Sequence, residues 1–196
     1  MAKKQSRPLS IRILGGTLRG RGIEVPTGLD VRPTTARTRE ALFNLLLHGG
    51  YGTDGGNILA GARVADLFCG TGALAFEALS RGAASATLID SDEPHLRTAR
   101  RNAERLGVAA ACTFRRMVLP QGMPEGPFDL VLLDPPYAAG LEQAVLEALV
   151  MSQTVRPRGL IACETAAGSP LSAPPGLWEI DDRRYGTARL RFFQPE

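Results

Sequence analysis

Histidine and cysteine are scarce in this chain: two and three residues respectively out of 196. Cys69, Cys112 and Cys163 are odd in number, widely separated and free of any C-x-x-C spacing. With only His48 and His95 beside them, no zinc constellation can be assembled, so no metal is expected. Reduced thiols suit the cytoplasm. Neither histidine falls in a motif, and each reads as a helix-surface residue rather than a ligand or base. Long apolar runs are also missing. None approaches the roughly 18 residues that span a bilayer, and no membrane partner is expected. The first eight residues carry Lys3, Lys4 and Arg7 but no apolar stretch behind them, and do not read as a signal peptide. Internal repeats are absent.

What is present suits a globular domain with a sizeable core: 44% hydrophobic and 22% charged residues. The length allows one large domain, or one domain with a small appendage. The net charge of +3 hides an asymmetry. Residues 1–40 hold nine basic side chains against three acidic ones, whereas residues 41–196 hold 14 against 17. A basic arm on a mildly acidic body points to a polyanionic partner met by the N-terminal fifth.

Residues 10–14 and 17–25 read as a β-hairpin turning at Gly15-Gly16, from which Arg12, Arg19 and Arg21 would project. Arg32-Pro33-Thr34-Thr35 leads into a helix over residues 36–48, with Arg37 and Arg39 near its start and Gly49-Gly50 at its end. Residues 51–61 are glycine-rich and read as a linker. The expected organisation is a hairpin-and-helix appendage over 1–50, a linker over 51–61 and a main domain over 62–196.

The main domain alternates strand and helix. Strands are expected at 64–68, 86–89, 112–115, 128–133 and 159–164, with helices at 73–81, after Ser91 (as cap) to Gly107, and at 141–151. A closing hairpin is expected at 177–182 and 187–193. This alternation implies an α/β fold with a doubly wound, mostly parallel sheet.

Two motifs carry chemistry. Asp66-Leu67-Phe68-Cys69-Gly70-Thr71-Gly72 is a strand end, a glycine loop and the start of a helix, which lets backbone approach a ligand closely. The relaxed dinucleotide fingerprint is met, and Asp90 lies eighteen residues past Gly72. Charge decides between nucleotides. A carboxylate at Asp66 repels a pyrophosphate but attracts the ammonium and sulfonium of S-adenosylmethionine. Asp90, at the next strand tip, can accept from both ribose hydroxyls. S-adenosylmethionine is thus favoured over NAD. The second motif, Asp134-Pro135-Pro136-Tyr137, ends a strand of residues 128–133 that reads as buried on both faces. The prolines cannot donate to a ladder, so an acid and a flat ring are fixed at the strand's carboxyl end. Asp134 and the Pro135 carbonyl can hold the two hydrogens of an exocyclic amine, and Tyr137 can stack on its base.

These residues resemble the class I, Rossmann-like, amino-methylating methyltransferases. The whole chain resembles the bacterial 16S ribosomal RNA guanine-N2 methyltransferase family (RsmD type). The resemblance is carried by Arg12-Ile13-Leu14-Gly15-Gly16, Arg19-Gly20-Arg21, Arg32-Pro33-Thr34-Thr35 with Arg37-x-Arg39-Glu40, and Phe68–Leu74. It continues through Glu77–Ala83, Asp134–Tyr137 and Tyr185-Gly186, covering nearly all of residues 11–193. It implies a seven-stranded sheet with the last strand antiparallel, and methylation of a guanine 2-amino group. It implies action on 16S rRNA, and the small subunit or its assembly intermediate is the expected partner of a cytoplasmic protein expected to be a monomer.

The expected set is then Asp134, Pro135, Pro136 and Tyr137 for the reaction. Asp66, Phe68, Cys69, Gly70, Thr71, Gly72, Asp90, Ser91, Met117 and Asp134 are expected at the cofactor, and Arg12, Arg19, Arg21, Arg32, Arg37 and Arg39 at RNA. Met117 stands where such enzymes often carry an Asp facing adenine. Cys69 replaces a usual small Ala. Two other readings stay open from sequence. One is an amino methyltransferase acting on adenine N6 in DNA or RNA, or on a protein glutamine. The other is a non-catalytic RNA-binding assembly factor. Only about 50 residues precede the core, which leaves no large target-recognition domain for scanning DNA.

Overall fold

The computed structural model describes residues 9–25, 35–136 and 140–196. Arg32 and Tyr137, both expected at the site, lie outside the described residues. Nine strands and four α-helices are present among those described. β1 (Leu9–Arg12) and β2 (Gly22–Val25) pair antiparallel as a two-stranded ribbon. α1 (Ala36–His48) follows. The main sheet contains β3 (Arg63–Leu67), β4 (Ser85–Asp90), β5 (Cys112–Arg116), β6 (Phe128–Leu133), β7 (Val155–Ala166), β8 (Leu177–Tyr185) and β9 (Ala188–Pro195). α2 (Ala73–Ser80), α3 (Glu93–Leu106) and α4 (Glu142–Met151) are the crossovers.

The seven strands run in the order β5-β4-β3-β6-β7-β9-β8, and β9 alone is antiparallel to its neighbours. The resemblance implied this sheet. Central strands β3 and β6 are apolar on both faces because helices cover both. On one face Leu67, Val131 and Leu133 pack with Val145, Leu146 and Leu149 of α4. On the other, Val64, Leu130 and Leu132 pack with α1 and α2, and Leu88 packs with α2 and α3.

Each helix start has a local cause. Thr35 caps α1 by accepting from the Thr38 backbone N–H at 3.1 Å. Asp92, not Ser91 as expected, caps α3 by accepting from His95 N at 3.2 Å. The carboxylate is the residue with β-region dihedrals one position before the first helical turn. Strand β7 starts earlier than the expected 159, at Val155, and runs with irregular register against β6.

The N-terminal hairpin differs from a tight Gly-Gly turn. Its strands stop at Arg12 and resume at Gly22, and the intervening loop docks on α2. Thr17 N donates to the Ser80 carbonyl at 2.8 Å, Leu18 N to Ser80 Oγ at 2.9 Å, and Ser80 Oγ to the Gly15 carbonyl at 2.5 Å. Gly16 has φ +76, and a Cβ there would lie 1.8 Å from the Ser80 carbonyl oxygen. The close approach that these glycines allow is therefore made by the chain's own helix.

Glu77 is the hub of the same junction. Fully buried, it accepts from Leu14 N at 2.9 Å and from Arg39 Nε at 3.0 Å, and it pairs with Arg81. Arg81 also lies 4.7 Å over the Phe43 ring. Ile13 and Ile23 share a core cluster with α2 and α3, and Leu42, Phe43 and Leu46 share one with the sheet. Ile58 and Leu59, within the expected linker, are buried in that second cluster.

Candidate active site

The strand order reverses direction between β3 and β6, and open α/β sheets bind ligands in the crevice outside the strand ends at such a point. Register brings the expected residues there. Leu67 pairs with both Ile89 and Leu133, so Phe68, Asp90 and Asp134 follow in one row across three strand ends. Asp90 pairs with Arg116 on β5, which puts Met117 next in line. Met117 N donates to the Asp90 carbonyl at 3.1 Å, and its partly buried side chain packs on the core beneath the site.

The loop after β3 turns through a run of left-handed residues: Phe68 (φ 64), Gly70 (φ 52) and Gly72 (φ 87). For the glycines this conformation is free. For Phe68 it costs roughly 1–3 kcal/mol, strain of the kind stored at ligand sites. A Cβ on Gly72 would lie 2.6 Å from the Phe76 ring and 2.9 Å from Leu88, so only glycine fits. Cys69 N is tied to the Ile89 carbonyl at 2.9 Å, and Thr71, itself buried, has its carbonyl held by Asn102 Nδ2 at 3.2 Å. These bonds fix the loop from both flanks.

Two carboxylates brace it. Asp90 Oδ2 accepts from Gly70 N at 2.8 Å, and its Oδ1 accepts from Asp92 N at 2.9 Å and lies 3.3 Å from His95 Nδ1. Asp66 is 1% exposed, and its Oδ2 accepts from Ala75 N at 3.0 Å in the first turn of α2. Burial, reinforced by the charges of Asp134 and Asp90, pushes the Asp66 carboxyl up to about 8. The expectation of a standing negative charge at Asp66 is thereby corrected. With no cation beside it the group holds a proton at neutral pH, and an arriving cation favours its release. Asp134 sits at the end of β6, half-buried, followed by a buried Pro135 and an exposed Pro136. Ser91 is exposed at the rim, with its carbonyl accepting from Arg116 Nε at 3.0 Å.

Cys69 is not a nucleophile. Burial first, and then Asp66 and Asp90, push its thiol well above the usual range. Two buried carboxyls escaped sequence reasoning. Glu142 opens α4 and Glu164 lies on β7, and both, with Asp134, act on the Cys163 thiol, which burial raises. No spacing rule marks either one, because α4 and β7 bring each near Cys163 only in the folded chain. Among the described residues, no group of three or more His, Cys, Asp or Glu side chains is placed to hold a metal ion.

The arginines expected at RNA divide. Arg12, Arg19, Arg21 and Arg37 are exposed. Arg21 also donates to the Leu106 carbonyl at 2.7 Å and to the Arg105 carbonyl, at the end of α3. Arg39 is 2% exposed, paired with Glu77, and donates to the Arg12 carbonyl at 3.0 Å. It cannot reach a phosphate and is withdrawn from that set. A cleft of about 670 Å³ lies beside it between the hairpin loop and α1, lined by Leu14, Gly16, Glu40, Asn44 and Arg81, and contains none of the three site aspartates.

A nucleotide cofactor fits the strand-end crevice on the structure's own terms. Asp66, Asp90 and Asp134 lie at adjoining strand ends around the glycine loop, and a cation is the species that would restore charge to Asp66. The Rossmann-like sheet and this acidic glycine-loop site together define a class I, S-adenosylmethionine-dependent methyltransferase. Residues 11–194 match the family described as Conserved hypothetical protein 95, and the chain belongs to that family. It is 33% identical over 188 residues to the ribosomal RNA small subunit methyltransferase D of Escherichia coli strain K12, covering 95% of this chain and 90% of the relative. The Haemophilus influenzae protein of the same name is 30% identical over 191 residues, covering 94% and 93%. Among solved structures, the Escherichia coli protein yhhF superposes with TM-score 0.80 at 31% identity, covering 95% of this chain and 98% of that one.

Proposed function

We propose that the protein methylates the exocyclic 2-amino group of a guanine in 16S rRNA, within the small ribosomal subunit or its assembly intermediate. One observation carries the chemistry: Asp134 ends the strand next to the glycine loop, close enough that its charge bears on Asp66. The relatives' names, which refer to small-subunit ribosomal RNA, support the substrate.

Asp66, Phe68, Cys69, Gly70, Thr71, Gly72, Asp90, Ser91 and Met117 would hold S-adenosylmethionine, which supplies an electrophilic methyl group when bound. Asp66 answers the cofactor's ammonium and ionises as it arrives. Asp90 retains lone pairs for hydroxyl donors beyond those used by Gly70 and Asp92. At the other side of the mouth, Asp134 and the Pro135 carbonyl accept the two amine hydrogens. An aromatic amine is a weak nucleophile because its lone pair is delocalised into the ring. Holding both hydrogens turns that lone pair toward the methyl group, and orientation of this kind accounts for much of the rate. The nitrogen lone pair would form the new N–C bond as the methyl–sulfur bond of the donor breaks, that pair staying on sulfur as a neutral thioether, and one N–H proton leaves to water. Tyr137 gives the base a stacking face. The exposed Arg12, Arg19, Arg21 and Arg37, with Arg32, supply phosphate contacts for residues 1–50. The reaction belongs to the cytoplasm, with the protein acting as a monomer.

The test offers 30S particles, naked 16S rRNA, duplex DNA and a protein release factor in parallel with labelled methyl donor. Products are then mapped by mass spectrometry. N2-methylguanine in small-subunit rRNA is the expected product, and transfer to DNA or protein alone would refute the assignment.

A further inference from the structure

Residues 41–196 carry an acidic excess as a whole, yet residues 93–116 hold six arginines against only Glu93 and Glu104. The fold gathers most of these arginines along α3 and its two flanks. α3 buries Leu96, Ala99, Asn102, Ala103 and Leu106, so Arg97 and Arg101, one turn apart, point away from the core and are exposed. On one flank Arg100 pairs with Glu93 and lies 5.4 Å over Phe114 of β5, the edge strand that also carries Arg115 and Arg116. On the other flank Arg105 pairs with Glu24 of the hairpin, and Arg21 reaches across to the end of α3. Basic side chains therefore run from the sheet edge, over α3, to the N-terminal hairpin, and outnumber Glu24, Glu93 and Glu104 among them.

Folding does not explain the outward pair. Like charges four apart on a helix cost a few tenths of a kcal/mol. Among the described residues Arg97 makes no hydrogen bond or ion pair, and Arg101 makes only a 3.4 Å contact to Thr98 Oγ1 on its own helix. Glu93 is spent on Arg100 and Glu24 on Arg105, which leaves Glu104, exposed three positions past Arg101, as the remaining acid beside six arginines.

We infer that the outer face of α3, centred on Arg97 and Arg101, is a second RNA-backbone contact that joins the hairpin arginines into one continuous phosphate-binding surface. The inference rests on the RNA-methylating reading. It assigns to the main domain a share of RNA binding that charge counting along the sequence gives to residues 1–40 alone. The contacts are to backbone phosphates outside the modified nucleotide, so they govern affinity and its salt dependence rather than the chemical step.

The test is Arg97→Gln/Arg101→Gln in the full chain, assayed for methyl transfer to 30S particles and to naked 16S rRNA, and for binding to both from 50 to 200 mM salt. Arg183→Gln/Arg184→Gln, on the far edge strand β8, is the control. Each lost phosphate contact removes about 0.7–0.9 from the log–log salt slope. Over this range the wild type should lose affinity roughly tenfold more steeply than the α3 variant. KM should rise, kcat at saturating RNA should hold, and the melting temperature should not fall. An unchanged slope and KM, with wild-type transfer intact, would overturn the α3 surface while leaving the methyltransferase reading standing. No transfer by the wild type to either 30S particles or naked rRNA would overturn that reading itself. An effect seen only with assembled particles, and not with naked rRNA, would point to an acidic protein and would also refute the proposal.

Discussion

Replacing Asp66 by Asn should change how the stability of the empty protein depends on pH. The folded carboxyl keeps its proton to about 8, against an ordinary value of 3.8. Between those values the native chain binds one proton more at this position than the unfolded chain does. Stability from this group is therefore greatest on the acid side and is lost as pH rises through the window. The limiting slope is about 1.4 kcal/mol per pH unit. From pH 5 to pH 7 the wild type should lose roughly 2–3 kcal/mol through Asp66, or about 4–12 °C in melting temperature for a chain of this size. Asn keeps an acceptor for Ala75 N but has no proton to lose, so its own dependence lacks this component. Urea unfolding of both proteins at half-unit pH steps measures the difference directly. The curves should lie closest at low pH, where both side chains are neutral, and separate as pH rises, in favour of Asn. Parallel curves would refute a protonated Asp66. Calorimetric titration of S-adenosylmethionine in buffers of different ionisation enthalpy should register proton release near neutral pH, and should not do so for the Asn variant.

Other substitutions probe the parts that hold the site. Glu77→Ala leaves Arg39 buried without its main partner, and should cost about 3–5 kcal/mol in urea unfolding, whereas Arg19→Ala should leave stability within about 0.5 kcal/mol. Gly72→Ala forces a Cβ against Phe76 and Leu88 at a left-handed residue. It should abolish detectable S-adenosylmethionine binding by calorimetry while the chain still folds, at a cost of roughly 1–3 kcal/mol. Gly16→Ala drives a methyl group into the Ser80 carbonyl and should detach the hairpin loop, seen as faster amide exchange at Thr17 and Leu18.

Local chemistry made most of the architecture legible. Pro135-Pro136 ends β6, glycines close α1 and α3, and apolar runs mark the central strands, so the strand–helix alternation could be read residue by residue. The site's carboxylates were legible for the same reason: strand ends converge once the order of the sheet is set, and Asp66, Asp90 and Asp134 are all strand-end residues. What could not be read depends on contacts between distant segments. Arg39 looks like its exposed neighbour Arg37 in sequence, and only Glu77, 38 positions away, shows that it is interior. Asp66 looks like any carboxylate until burial raises it. Phe68 has no marker for a left-handed residue, and Glu142 and Glu164 come near Cys163 only through folding. The basic face of α3 was hidden by averaging charge over 156 residues.

The amine-gripping role of Asp134 is tested most directly by single-turnover transfer of labelled methyl groups to 30S particles. Wild type, Asp134→Asn and Asp134→Ala are compared, with cofactor affinity measured alongside. Losing one oriented acceptor should slow transfer by about 10²–10³-fold, with cofactor binding close to that of the wild type. Transfer at the wild-type rate by Asp134→Ala would contradict the role assigned to the end of β6.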